Sequence, residues 1–372
     1  MGAHAPASRI FRISSSGTGS GFSRRMARMV FMVSNRSVWP GIGSPFLRSI
    51  RGDRIIPPGG PVARDGRKAH DRRDRDPLSR PEEGLMTTVG SGSYQYELNE
   101  SWAKLPVGWT FGPVSAVATD SRDRVYAFQR KDPPIIVFDR DGSYLGSWGS
   151  SAIKDPHGIA IINDVIYLTD RDDHVALKFT LDGKPLMVLG TRGQPSDTGA
   201  TKDIELPPRS AGPFNKPTEM VPAPSGDLYV SDGYRNSRVH RFSAQGALLA
   251  SWGTPGKQEP GEFHLPHSLW VDPEGFVYVC DRENSRIQVF NASGKFVSQW
   301  RDIHRPTDIY FNAQQVAYVS ELRPSISILD RHGKVLARFD SPSGHGLWVD
   351  SVGDIYLAEA GGKRLTKYVH KR

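Results

Sequence analysis

The stretch Leu265-Pro266-His267-Ser268-Leu269-Trp270-Val271-Asp272-Pro273-Glu274-Gly275-Phe276-Val277-Tyr278-Val279-Cys280-Asp281-Arg282-Glu283-Asn284-Ser285-Arg286-Ile287-Gln288-Val289-Phe290 decides the fold. It holds an apolar run, a turn built on Asp272, Pro273 and Gly275, a second apolar run that carries Tyr278 and closes on Asp281, and an alternating run from Arg286 to Phe290. Short runs separated by turn residues read as consecutive antiparallel strands. Ser293-Gly294 then turns the chain into a fourth. Outward from this stretch the same unit recurs, six times in all, at a period of roughly 35 to 55 residues, which marks propellers and solenoids. The units open at Val114-Ser115-Ala116-Val117, His157-Gly158-Ile159-Ala160, Thr218-Glu219-Met220-Val221, His267-Ser268-Leu269-Trp270, Thr307-Asp308-Ile309-Tyr310 and His345-Gly346-Leu347-Trp348. Each then carries a tyrosine (Tyr126, Tyr167, Tyr229, Tyr278, Tyr318, Tyr356) and, three residues on, a polar side chain (Gln129, Asp170, Asp232, Asp281, Glu321, Glu359).

No helical periodicity interrupts the series, so the fold class is all-β. A four-stranded blade cannot cover its own apolar faces, and six blades closed into a ring bury them and limit exposed edges. The expected architecture is a six-bladed β-propeller over residues 86–372. The sixth unit ends close to the C-terminus, whereas Tyr94-Gln95-Tyr96-Glu97-Leu98 precedes the first unit and alternates like a strand. That segment is expected to supply the outer strand of the last blade.

Residues 1–85 have a different composition. They hold 16 of the 48 Lys and Arg and 7 of the 40 Asp and Glu, which leaves 32 basic against 33 acidic residues in the rest. The basicity of the whole chain therefore belongs to this segment. Its Arg-rich runs, interspersed with Ser, Gly and Pro, bury too little apolar surface to offset ordering entropy, so a disordered tail is expected. Translation from Met86 would leave it out. A nearly neutral propeller lacks the basic face that phosphate binding requires, which argues against nucleic acid as a partner. No apolar run reaches the roughly 18 to 20 residues that span a bilayer. With Cys280 as the sole cysteine no intrachain disulfide can form, which fits a reducing compartment. A monomeric cytoplasmic protein is expected.

At the head of the innermost strand the six units read Ser115, His157, Thr218, His267, Thr307 and His345, imidazole alternating with hydroxyl. Innermost strands line the central channel. Histidines from every second blade are about 120° apart on one ring, and three neutral imidazoles with an open fourth position describe a catalytic Zn²⁺ site. A buried histidine in such a turn also serves to tie down neighbouring backbone, and both readings stand at this point. His174, His240, His264, His304 and His332 fall on outer strands or turns, with His264 expected to be exposed. The recurring acids after the tyrosine strand are expected to hold loops through backbone N–H groups. The positions just beyond this polar column vary from unit to unit: Arg130, Arg171 and Arg282 in units one, two and four, and Gly233-Tyr234 in unit three. An arginine there can bind a carboxylate bidentately and a tyrosine can exchange a proton with a hydroxyl. Arg171, beside Asp172 and Asp173, reads as a surface ion pair.

The runs Asp155-Pro156-His157-Gly158, Ser231-Asp232-Gly233-Tyr234-Arg235-Asn236-Ser237-Arg238, Leu265-Pro266-His267-Ser268-Leu269 and Asp281-Arg282-Glu283-Asn284-Ser285-Arg286 resemble peptidyl-α-hydroxyglycine α-amidating lyase, a six-bladed propeller of the NHL-repeat type. The resemblance covers about residues 105 to 370. It implies a zinc ion on His157, His267 and His345, and active-site roles for Arg130, Tyr234 and Arg282. The implied reaction expels glyoxylate from an N-acyl-α-hydroxyglycine and leaves a primary amide, with no organic cofactor. Two departures bear on the site. The family follows its third histidine with an aspartate that binds calcium, where this chain has Gly346; the remaining calcium contacts, backbone carbonyls matching Val117 and Ile159, make a weak site without a carboxylate. The family's disulfide cysteine beside the tyrosine is Arg235 here, which places positive charge near the mouth. The alternative function is a non-catalytic NHL propeller that binds a protein or peptide partner.

Overall fold

A computed structural model describes residues 87–372, and the expectations for residues 1–85 lie outside it. Five four-stranded antiparallel sheets and a sixth of five strands follow one another around a ring. The innermost strands of blades 1 to 6 are Val114–Thr119, Pro156–Ile162, Pro217–Pro222, Pro266–Val271, Pro306–Phe311 and Gly346–Val349. Each packs on the next, and the last packs on the first.

Closure comes from the N-terminus. Tyr94–Asn99 pairs antiparallel with the C-terminal strand Arg364–His370, in the register Leu98↔Tyr368. A further strand, Thr88–Ser91, folds back on it as a hairpin and makes the sixth sheet five-stranded rather than four. Tyr96 is fully buried there, 5.6 Å from the Phe339 ring of blade 5.

The burial pattern explains the composition of the strands. Second strands such as Val125–Gln129 and Val277–Asp281 are buried at every position because blades cover both of their faces, so they read as continuous apolar runs. Fourth strands are edges, and Leu145, Leu249 and Val297 stand exposed on them. Turns into the fourth strands carry Gly142, Gly183, Gly246, Gly294 and Gly333 at φ between 81° and 88°, where other side chains are strained. A Cβ on Gly183, Gly294 or Gly333 would also strike the ring of Trp148, Trp252 or Trp300 at the edge of the preceding blade.

The polar column after the tyrosine strand holds loops, as its regularity suggests. Gln129 accepts the amide of Gly112, Asp170 those of Lys154 and Asp155, Asp232 that of Asn215, Asp281 that of His264 and Glu321 that of His304. Each tie fixes the loop that enters the innermost strand of the same blade. Blade 6 differs, since Glu359 accepts Arg364 and Thr366 side chains instead. One mouth of the channel is lined by aromatics three residues beyond the head of the innermost strands, packed at steep angles: Tyr310 lies 4.6 Å from Trp348 and 5.0 Å from Trp270, ring centre to ring centre. Among the described residues no helix is long and apolar enough to cross a membrane.

Candidate metal centre and active site

The head of each innermost strand in blades 1 to 5 is a β-bulge, with the register slipping at Ser115, His157, Thr218, His267 and Thr307. A bulge re-aims the side chain it carries, here toward the channel axis. In blade 6 His345 sits just ahead of the strand and its amide donates to the Ala358 carbonyl. The three imidazoles meet face to edge, with centroids 4.7 to 4.8 Å apart, and one ligand nitrogen from each lies within 4.8 Å of the others.

The hydroxyl-bearing blades hold these rings. His157 Nδ1 lies 2.7 Å from the Thr218 carbonyl, His267 Nδ1 2.6 Å from that of Thr307, and His345 Nδ1 2.7 Å from that of Ser115. A carbonyl only accepts, so each Nδ1 carries the proton and each Nε2 keeps its lone pair for the axis. This is the orientation a metal-bound histidine requires. Glycine makes two of these contacts possible: a Cβ on Gly158 would strike the Thr218 carbonyl oxygen, and one on Gly346 would lie 2.8 Å from that of Ser115. Burial, reinforced by neighbouring positive charge, holds all three histidines below their ordinary pKa, with His345 lowered to about 3. They are neutral at physiological pH, which is the ligand form. His157 Nε2 is buried with no hydrogen-bond partner. A borderline Lewis acid such as zinc fits this donor set, and among the described residues no other cluster has metal-ligand spacing.

Above the ring the structure assembles Arg130, Tyr234 and Arg282. The Tyr234 hydroxyl lies 3.2 Å from His267 Nε2 and 3.5 Å from an Arg282 nitrogen, and Arg130 reaches within 3.5 Å of His345 Nε2. Gly233 lets this loop run against the entry to blade 4, since a Cβ there would strike the Pro266 carbonyl oxygen. Arg130 Nε donates to the Pro156 carbonyl beside His157. Arg235 instead bonds the Thr201 carbonyl.

Several residues differ from the sequence reading. Arg171 does pair with Asp172, at 3.1 Å, but it also pairs with Asp155 at the shorter distance of 2.7 Å, and its guanidinium lies over the Tyr234 ring at 4.9 Å. Asp155 also approaches Arg130, at 3.4 Å, and so links both arginines. His264 is buried, not exposed. Two carboxylates beside the ring escaped notice, the buried Glu219 and the half-buried Asp308. They occupy the position after the column, where the other blades have Ala116, Gly158, Ser268 and Gly346, so an alignment read one residue further would have found them. Asp308 accepts Ser268 and the amide of Leu347, while Glu219 has one weak bond from the Met220 amide. Val117 and Ile159 lie on adjacent innermost strands, but a Cβ at 346 would sit 2.7 Å from Ala116 Cα, so the calcium-binding aspartate of the lyase pattern has no room here.

The family model for the NHL repeat matches residues 263–290. Over 304 residues the chain is 31% identical to human NHL repeat-containing protein 3, an alignment covering 74% of the chain and 84% of that relative. The chain belongs to the NHL repeat-containing protein family. This NHL-repeat protein is also 28% identical over 272 residues to peptidyl-alpha-hydroxyglycine alpha-amidating lyase 1 of Drosophila melanogaster, which covers 62% of the chain and 47% of the lyase. Among solved structures, a streptogramin B lyase superposes with a TM-score of 0.54 at 12% identity, covering 76% of the chain and all of the lyase, a likeness of fold alone.

Proposed function

We propose that the protein is a zinc-dependent carbon–nitrogen lyase that cleaves an N-acyl-α-hydroxyglycine to a primary amide and glyoxylate. The observation that carries this reading is the meeting of three Nε2 lone pairs with the Tyr234 hydroxyl and the Arg130 guanidinium at one end of the channel. His157, His267 and His345 would hold the ion, which supplies Lewis acidity toward a hydroxyl or carboxylate oxygen. Arg130 anchors the substrate carboxylate with charge-assisted hydrogen bonds. Tyr234 takes the proton of the carbinol hydroxyl, the oxygen's electron pair becomes the new C=O bond, and the C–N bond breaks with its electrons going to nitrogen. The proton then passes to the departing amide nitrogen, so the reaction consumes no co-reactant. Arg282 and Arg171 flank the Tyr234 ring and fix its direction.

Metal analysis and an assay on α-hydroxyhippurate test this reading together. About one zinc per chain, lost in His157→Ala, with glyoxylate released only by the loaded protein, is the expected result. A folded protein that takes up no zinc would reject the site. A zinc-loaded protein that releases no glyoxylate would leave the non-catalytic binding propeller as the better reading.

A further inference from the structure

A cavity of about 250 Å³ opens between blades 1 and 2, lined by Arg130, Lys131, Lys154, Asp155 and Pro156 among others. Arg130 joins it to the histidine ring, since its Nε bonds the carbonyl of Pro156, which precedes His157, and another of its nitrogens faces His345. Its volume lies below the ~300–1,000 Å³ of pockets that take a whole ligand, and suits one side chain of a larger substrate. Pro134 and Ile153 give it an apolar wall for methylene groups.

The charges around it do not cancel. Lys131 bonds the neutral oxygens of Thr110, at 2.6 and 3.1 Å. Lys154 is exposed and forms no salt bridge among the described residues. Asp155 is already shared by Arg130 and Arg171, which leaves the exposed Asp132 as the lone free carboxylate facing two lysines and the Arg130 fork.

We propose that this cavity is an acyl-side subsite that selects substrates with a second negative charge, an acidic residue immediately preceding the α-hydroxyglycine. The assignment of the bound group as the acyl side rests on the lyase reading. Arg130 then holds the glycine carboxylate, and Lys131 and Lys154 receive the acidic side chain. These lysines are solvent-exposed, so the selection is electrostatic and weakens with ionic strength.

Equilibrium titration of the zinc-loaded full chain with N-acetyl-Glu-Gly and N-acetyl-Gln-Gly, which lack the reacting hydroxyl, tests the subsite apart from catalysis. The glutamate peptide should bind about five- to ten-fold more tightly at low salt, a ratio of the size two exposed ion pairs give. In the double variant Lys131→Gln/Lys154→Gln the ratio should fall to about one. Equal affinities in the unaltered protein, no measurable binding of either peptide, or a preference that survives the double variant would overturn the proposal. A preference that holds while the matching α-hydroxyglycine peptide releases no glyoxylate would instead overturn the lyase reading and leave the anion-selective cavity in place.

Discussion

Each ring histidine divides its two nitrogens between two tasks, Nδ1 toward a carbonyl of the neighbouring blade and Nε2 toward the axis. Backbone anchoring and metal binding, which compete as readings of the sequence, are here complementary uses of one side chain. Tyr234, 3.2 Å from His267 Nε2, is the group placed to move a proton. Tyr234→Phe should keep its zinc and its KM while kcat falls by about 10²- to 10⁴-fold, the usual share of a general base; unchanged turnover would remove Tyr234 from the mechanism. Beside the ring, burial and the charge of Asp308 raise the Glu219 pKa well above its ordinary value. An acid with a higher pKa folded than unfolded binds more protons in the folded state. Stability then falls as pH rises through the unfolded value near ~4.3, and keeps falling until the folded pKa is passed. Glu219→Gln removes that penalty, so the metal-free variant should exceed the parent by about 1–3 kcal/mol at pH 8, with the gap closing toward pH 4. Matching melting curves at both pH values would show the carboxylate to be compensated in the fold. The histidines were legible because their spacing repeats along the chain. Arg171, Asp155 and Glu219 were not, because their significance arises from contacts between blades, such as Arg171 over Tyr234, that no local pattern announces.

At the scale of strands, the bulge at the head of the innermost strand matters most, since it breaks the strict alternation of that strand and re-aims the side chain it carries. The strands themselves were readable because turn glycines and apolar runs are local signals. Even the closing strand was visible, as an alternating segment left over before the first repeat. Its hairpin partner Thr88–Ser91 was missed, because Thr-Val-Gly-Ser is too short and too polar to read as a strand alone. The bulges were missed because no residue type marks them. Ring closure depends on Tyr94–Asn99, which covers the strand Arg364–His370 and buries Tyr96 completely. Deleting residues 86–104 exposes that edge and also removes Trp102, buried against Phe138 and Tyr356. Losing even one buried aromatic costs about 3–5 kcal/mol, a large fraction of a typical domain's stability. The deletion should therefore replace the cooperative thermal transition, monitored by circular dichroism, with a broad one; a melting curve like the parent's would show that the other blades close without it.

For the molecule as a whole, the ring is a set of blades held by side-to-side packing, and the histidines come from blades 2, 4 and 6, so one ion at the axis would tie together three elements that do not touch as neighbours. An ion bound to the folded state alone stabilises it by RT ln(1 + [L]/Kd), about 2.7 kcal/mol at a hundred-fold excess over Kd and about 4.1 at a thousand-fold. In a domain of this size that is a rise in melting temperature of about 5–10 °C. The rise should depend on zinc concentration, reverse with chelator, and vanish in His157→Ala, whose loss leaves two ligands from blades 4 and 6. The unfolded chain competes weakly for the ion, because the three histidines are far apart in sequence and Cys280 is the sole cysteine. The same titration therefore distinguishes a metal that belongs to the fold from one bound loosely at the surface, which would move the melting temperature equally in parent and variant.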